Sequence, residues 1–122
     1  MSRIVQFELP AKDPESCQAF YSQVFGWEFR HWAEGNCWLT RTGEDELPGI
    51  NGVMVRKQPG HEILSQTLMV KDLDQVARAI LDHGGEVLTE KQLIPDVGWV
   101  IYFKDTEGNV MGALEADPFA KQ

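Results

Sequence analysis

Basic side chains are scarce in this sequence. Eleven Lys and Arg stand against nineteen Asp and Glu, which gives a formal net charge of −8 at pH 7, and the basic residues form no cluster. Nucleic acids and anionic membrane surfaces attract proteins mainly through clustered Lys and Arg. The composition therefore predicts neither nucleic acid nor a membrane as a partner.

Long apolar runs are also missing. No stretch approaches the roughly 20 consecutive apolar residues that a membrane-spanning helix needs, and none lies between Met1 and Pro10. We therefore expect a cytoplasmic protein. A chain of 122 residues is of ordinary size for one hydrophobic core, so a single domain is expected.

Metal-binding and catalytic motifs are sparse as well. The two cysteines, Cys17 and Cys37, lack the Cys-x-x-Cys spacing, and none of the three histidines has a second histidine at the spacing of a zinc site. The sequence contains no Gly-rich phosphate loop and no Gly-x-Ser-x-Gly motif. Nucleotide-binding proteins and serine hydrolases need those motifs, so neither class has support here.

What the sequence does contain is an internal repeat. Ala11-Lys12-Asp13 returns as Val70-Lys71-Asp72, and Gly26 returns at the same offset as Gly85. In each copy a strand-like run precedes the Asp, an amphipathic helical stretch follows it, and three strand-like segments come after the Gly. The repeat predicts two β-α-β-β-β modules.

The helix signals agree with this interpretation. Asp13 is a suitable N-cap with Pro14 at the first helical position, and Asp72 is its counterpart in the second copy. The first helix carries an apolar stripe before Gly26 ends it: Cys17, Phe20, Tyr21, Val24 and Phe25.

The predicted organisation is one domain made of a module at 1–56, a polar linker at 57–62 that contains Pro59-Gly60, and a module at 63–117. A half of about sixty residues has only a marginal core by itself. We therefore expect the two modules to fold as one α+β domain.

Four segments resemble the vicinal oxygen chelate superfamily, which includes glyoxalase, bleomycin-resistance and dioxygenase-like proteins. They are Phe7–Glu15 and Phe20–Glu28 in the first module, and Ile94–Trp99 and Tyr102–Gly112 in the second. The resemblance implies that two tandem βαβββ modules form a curved mixed sheet with a U-shaped cleft. In metal-dependent members that cleft holds a divalent ion.

In such members His, Glu or Gln ligands come from the first and last strands of each module. Carried over to this chain, those positions fall on Gln6 and Ser65 in the first strands and on Gly112 in the last strand of the second module. The last strand of the first module offers only Asn51-Gly52-Val53 near the remaining position. One amide without a carboxylate or imidazole is a poor donor set, so we expect no metal and no other cofactor.

Glu8 is the candidate catalytic residue. Strand alternation places Gln6 and Glu8 on the face opposite Val5, Phe7 and Leu9. If that face lines the cleft, Glu8 could act as a general base or anchor a ligand. The alternative is that Glu8 is ion-paired and only supports the cleft.

The candidate ligand-binding residues are aromatic or polar residues near or on predicted strands. Indoles would favour a flat or apolar ligand, and the polar side chains would orient it by hydrogen bonds. The indoles could equally be part of the core. The set comprises Gln6, Trp38, Asn51, Thr67, Trp99 and Tyr102.

Three functions remain open. The favoured one is a metal-free cleft that binds a small organic molecule, as in the bleomycin-resistance branch. The second is a lyase, isomerase or dioxygenase with an unorthodox or metal-free site, and the third is a non-catalytic regulatory or dimerisation module. The resemblance also implies a homodimer, because many relatives complete the cleft across two chains.

Overall fold

The computed structural model describes residues 1–32, 35–59, 62–117 and 119. The chain forms two compact units, which we call the first unit (Gln6–Ser65) and the second unit (Met1–Val5 with Gln66–Gln122). Gly60 and His61 of the predicted linker lie outside the described residues. The module and linker boundaries drawn from the repeat stay a prediction.

The described residues combine two helices with a mixed sheet of parallel and antiparallel strands, so the predicted α+β fold class is confirmed. The first unit contains β-α-β-β-β in the predicted order, whereas the second has one additional short strand, β7. The elements are β1 (Ile4–Ala11), α1 (Pro14–Phe25), β2 (Glu28–His31), β3 (Cys37–Arg41), β4 (Gly52–Arg56), β5 (Ser65–Val70), α2 (Leu73–Asp82), β6 (Glu86–Val87), β7 (Gln92–Ile94), β8 (Gly98–Lys104) and β9 (Val110–Ala116). Among the described residues, neither helix is long and apolar enough to cross a membrane.

Both helices begin where the sequence predicts. The carboxylate of Asp13 accepts a hydrogen bond from the Ser16 amide at 3.2 Å, and the carboxylate of Asp72 accepts one from the Gln75 amide at 3.1 Å. These bonds satisfy amides that a helix leaves unpaired at its first turn. α1 ends at Gly26, whose φ of 75° is the left-handed conformation that glycine adopts without steric cost.

The first unit is a mixed sheet with α1 against one face. Its strand order is β2-β3-β4-β1, in which β1 and β4 are parallel and the other pairs are antiparallel. Met54 of β4 is fully buried and accepts a 3.8 Å hydrogen bond at sulfur from the Gln18 amide group of α1. The face that carries Met54 is therefore the helix-covered one.

The apolar stripe predicted for α1 is only partly buried. Phe20, Val24 and Phe25 keep 55%, 56% and 61% of their surface exposed. The buried part is aromatic stacking at the end of the helix, where the Tyr21 and Trp27 rings lie 4.6 Å apart. An apolar stripe gives the spacing of side chains but not the width of the surface that covers them.

The second unit repeats the arrangement with a more complete core. β5 and β9 are parallel, β9 and β8 are antiparallel, and both β6 and β7 pair with β8. α2 packs Val76, Ala77 and Ile80 against one face of this sheet. The buried centre of the cluster consists of Val70, Leu73, Ile101 and Ala113.

Candidate functional site

Within the first unit, Glu8 lies on the sheet face opposite α1. Glu8 is directly opposite Val53 of β4, which is itself opposite Leu39 of β3, and residues paired in this way share a face. Phe7 and Leu9, by alternation, share the other face with Met54. The predicted separation of Gln6 and Glu8 from Phe7 and Leu9 is thus confirmed, and we call this surface the Glu8 face.

Glu8 is 5% exposed, which is unusual for a carboxylate. A half-buried thiol, that of Cys37, lies near it on the same face, because Cys37 is paired with Val55 two residues beyond Val53. Burial raises the pKa of the Cys37 thiol, and the charge of Glu8 raises it further. A protonated thiol is a weak nucleophile, so the arrangement does not favour Cys37 as a catalytic nucleophile.

Trp38 lies on the opposite side of this sheet. It is paired with Met54, which places its indole on the α1 side and away from Glu8. Its ring centroid is 5.4 Å from that of His31. The register of β3 therefore separates two residues that the sequence grouped in one cleft, and a ligand role for Trp38 stays a prediction.

Asn51 precedes β4, and its side chain is hydrogen-bonded to the start of the loop that follows β3. Its side-chain oxygen accepts a hydrogen bond from the Thr42 amide at 2.9 Å. Both residues line a shallow pocket of about 180 Å³ together with residues 43–45 and 47–49, which is smaller than the usual small-molecule site of roughly 300–1,000 Å³. The geometry gives Asn51 a loop-closing contact, and its role in ligand binding stays a prediction.

In the second unit, Thr67 and Tyr102 lie on the face opposite α2, on either side of Gly112. Thr67 is paired with Gly112, and Gly112 is paired with Tyr102. A Cβ atom added at Gly112 would stand 3.3 Å from the Thr67 hydroxyl oxygen and 3.4 Å from a ring carbon of Tyr102. Both side chains therefore lean over the glycine. Strand pairing thus brings these three residues together on one face.

Trp99 lies on the other side of the same sheet. It packs against the α2 core cluster, and the Lys91 ammonium lies 5.2 Å from the centre of its ring. The geometry thus agrees with the alternative in which this indole is part of the core. A ligand role for Trp99 stays a prediction.

Lys104 is a residue that sequence reasoning missed. It is half-buried and lies two residues after Tyr102 on β8, so its side chain shares the face of Thr67 and Tyr102. The strand alternation that predicted a role for Tyr102 could have identified Lys104 too. We call the surface formed by Thr67, Tyr102, Lys104 and Gly112 the Thr67 face.

The hairpin that joins β8 to β9 is fixed by Asp105. Its carboxylate accepts hydrogen bonds from the Glu107 amide at 2.8 Å and from the backbone and side chain of Asn109, each at 2.9 Å. The side-chain bond from Asn109 and then these backbone bonds lower the pKa of Asp105. This turn sets the register that brings Tyr102 opposite Gly112.

Comparison with known proteins identifies the family. The sequence profile of the glyoxalase-like domain matches residues 5–113. A glyoxylase-like domain-containing protein of Didymella fabae is 31% identical over 113 residues, which are 88% of this chain and 88% of that protein. The chain belongs to the glyoxalase-like domain family.

Solved structures share the fold at low sequence identity. Methylmalonyl-CoA epimerase from Mycobacterium tuberculosis matches with a TM-score of 0.67 and 12% identity, over 94% of this chain and 88% of that chain. A glyoxalase/bleomycin resistance protein/dioxygenase superfamily member from Vibrio splendidus 12B01 matches with a TM-score of 0.62 and 14% identity, over 94% and 99%. The superfamily resemblance drawn from the sequence motifs is confirmed.

The residues at the positions where the superfamily resemblance places metal ligands do not match a metal site. Gly112 has no side chain to offer, and Thr67 and Tyr102 lie against the place where a side chain would begin. Ser65 offers a hydroxyl, and Gln6 offers a neutral amide, both weak ligands for a divalent transition metal. Nowhere in the described ranges do three or more His, Cys, Asp or Glu side chains gather as a metal site would require.

Proposed function

We propose that this glyoxalase/bleomycin-resistance-like protein binds a small organic molecule without a bound metal, and that the Thr67 face takes part in binding. The observation that carries the proposal is the group around Gly112, where Thr67 and Tyr102 approach the glycine from two neighbouring strands. A hydroxyl and a phenol can orient an organic molecule by hydrogen bonds. They supply neither the charge nor the donors that hold a divalent metal.

An enzyme of the lyase, isomerase or dioxygenase type is the second candidate. The observation that favours it is the burial of Glu8, because a carboxylate held away from water on a sheet face can act as a general base. One structural relative is a methylmalonyl-CoA epimerase. In this candidate Gln6 and Glu8 would hold a metal in an unorthodox site, or Glu8 would act as a metal-free base.

A metal experiment tests the metal-free proposal against the form of the enzyme candidate that uses a metal site. The protein is purified without chelator, its metal content is measured, and its Tm is followed during titration with Ni²⁺, Zn²⁺, Mn²⁺ and Fe²⁺. A metal that binds the folded state must raise its stability, by about 2.7 kcal/mol at a hundredfold excess over Kd. We expect neither stoichiometric metal nor a rise in Tm.

A control variant makes the opposite result, metal binding, interpretable. A stoichiometric metal, or a rise in Tm that is lost in Gln6→Ala or Glu8→Ala but kept in the exposed Gln23→Ala, would overturn the metal-free proposal. The same result would support the enzyme candidate. Gln23 lies on the surface of α1, so its substitution tests for effects unrelated to the Glu8 face.

A further inference from the structure

The Thr67 face combines a buried threonine with a half-buried lysine. Thr67 is 3% exposed, and no hydrogen bond joins its hydroxyl to another of the described residues. Because buried hydroxyls in proteins nearly always have a partner, a ligand atom or water is the natural partner here. Every fully buried side-chain oxygen and nitrogen among the described residues has a partner, so the Thr67 oxygen must border accessible space.

Lys104 gives this face a positive charge. Its ammonium group forms no hydrogen bond or ion pair with a described residue. The acid that lies across from it is Glu86 of β6, which is exposed to solvent. A lysine on a largely buried face that lacks an ionic partner favours an anionic ligand.

The surroundings strengthen such an interaction. The next pair on the same face, Val100 and Leu114, is apolar and buried. A charge-assisted hydrogen bond is stronger beside buried apolar groups than in water. Gly112 has no side chain, so Thr67 and Tyr102 lie over it from the two neighbouring strands, 3.3 and 3.4 Å from where a Cβ atom would stand.

We infer that the Thr67 face binds the carboxylate of a small organic acid, with Lys104 as its ionic partner and the hydroxyl group of Thr67 as a hydrogen-bond donor. This inference rests on the proposed function and specifies its ligand class.

The test compares three probes of one shape. Benzoate, benzamide and benzylamine are titrated into the ¹⁵N-labelled protein, and the amide shifts of Thr67, Tyr102, Lys104 and Gly112 are followed by NMR. We expect benzoate to shift these amides and to bind about tenfold or more tightly than benzamide, as a charge-assisted pair would require. Benzylamine should not shift them.

Variants with matched controls test which residues bind benzoate. Lys104→Gln and Thr67→Val should each weaken benzoate binding by about tenfold or more, whereas Lys104→Arg should keep it because the charge remains. Lys12→Gln, an exposed lysine of the first unit, should leave binding unchanged. The Tm of each variant is measured first, and Thr67→Val provides the test if Lys104→Gln does not fold.

The outcomes separate this inference from the proposed function. Equal binding of benzoate and benzamide, or benzoate binding that survives Lys104→Gln, would overturn the carboxylate assignment and leave a metal-free binding protein in place. Absence of any shift with benzoate up to its solubility limit would also overturn the assignment. Stoichiometric metal at the superfamily position would overturn the proposed function instead.

Discussion

At the scale of single residues, Glu8 and Cys37 are the most unusual pair. Both lie on the Glu8 face, and the charge of the carboxylate is the second cause, after burial, of the raised pKa of the thiol. The pKa of the Cys17 thiol is also raised, first by burial and then by the charge of Asp13. The pKa values of the two thiols therefore depend on different carboxylates, so each cysteine can serve as a control for the other.

Replacing Glu8 with Gln should make Cys37 more reactive. Loss of the negative charge lowers the pKa of Cys37 toward its ordinary value, so more thiolate is present at any pH below that pKa. The rate of alkylation by iodoacetamide at pH 8, measured in the Cys17→Ser background, should rise severalfold. Burial is unchanged, so the rate should stay below that of a free cysteine.

The control for this prediction is Cys17 in the Cys37→Ser background. Its alkylation rate should not respond to Glu8→Gln, because its electrostatic neighbour is Asp13. An unchanged rate for Cys37 would show that Glu8 does not act on the thiol. Equal acceleration of both cysteines would instead indicate that the variant has loosened the fold.

At the scale of elements, the second unit joins α2 to its sheet through Glu115. The Leu73 amide, at the first turn of α2, donates a hydrogen bond to the Glu115 carboxylate at 2.8 Å. Leu73 is only 1% exposed, so its amide has little access to water as a substitute partner. A carboxylate at a helix N-terminus also interacts favourably with the helix dipole.

Glu115→Ala should therefore lower the free energy of unfolding by about 1–2 kcal/mol, the usual cost of losing a helix N-terminal acceptor. Chemical denaturation monitored by circular dichroism measures the change. The matched control is Glu107→Ala, since Glu107 is an exposed acid of the β8–β9 turn and its loss should change stability by less than about 0.5 kcal/mol. Equal effects of the two substitutions would contradict the role of Glu115.

At the scale of the whole molecule, acidic charge is the dominant property. The formal net charge is −8, and the ion pairs of Arg41 with Glu28 and of Lys91 with Asp74 are solvent-exposed. Exposed pairs contribute little to stability. Repulsion among the excess carboxylates therefore opposes the compact state more than these pairs favour it.

Modest salt should stabilise the protein. Raising NaCl from about 10 to 150 mM shortens the Debye length from about 30 to 8 Å and screens the repulsion, so we expect Tm to rise by a few degrees in differential scanning calorimetry. Glu46→Lys, in an exposed acidic loop, reduces the net negative charge and should show a smaller rise. A Tm that falls with salt would mean that attractive pairs dominate.

The sequence by itself determined the repeat, the fold class and the family. Asp13, Gly26 and Asp72 act at short range, so their capping roles follow from neighbours in the chain. Strand alternation likewise separated Gln6 and Glu8 from Phe7, because the direction of successive side chains is a property of a single strand.

Only the tertiary structure decided which faces the candidate residues share. Trp38 lies on the α1 side because β3 is paired with β4 in one register, and a shift of one residue would reverse that result. Thr67 meets Gly112 and Tyr102 because β5, which is distant in sequence, pairs with β9 of the β8–β9 hairpin. Strand pairing and register depend on packing between remote segments, and local pattern does not contain them.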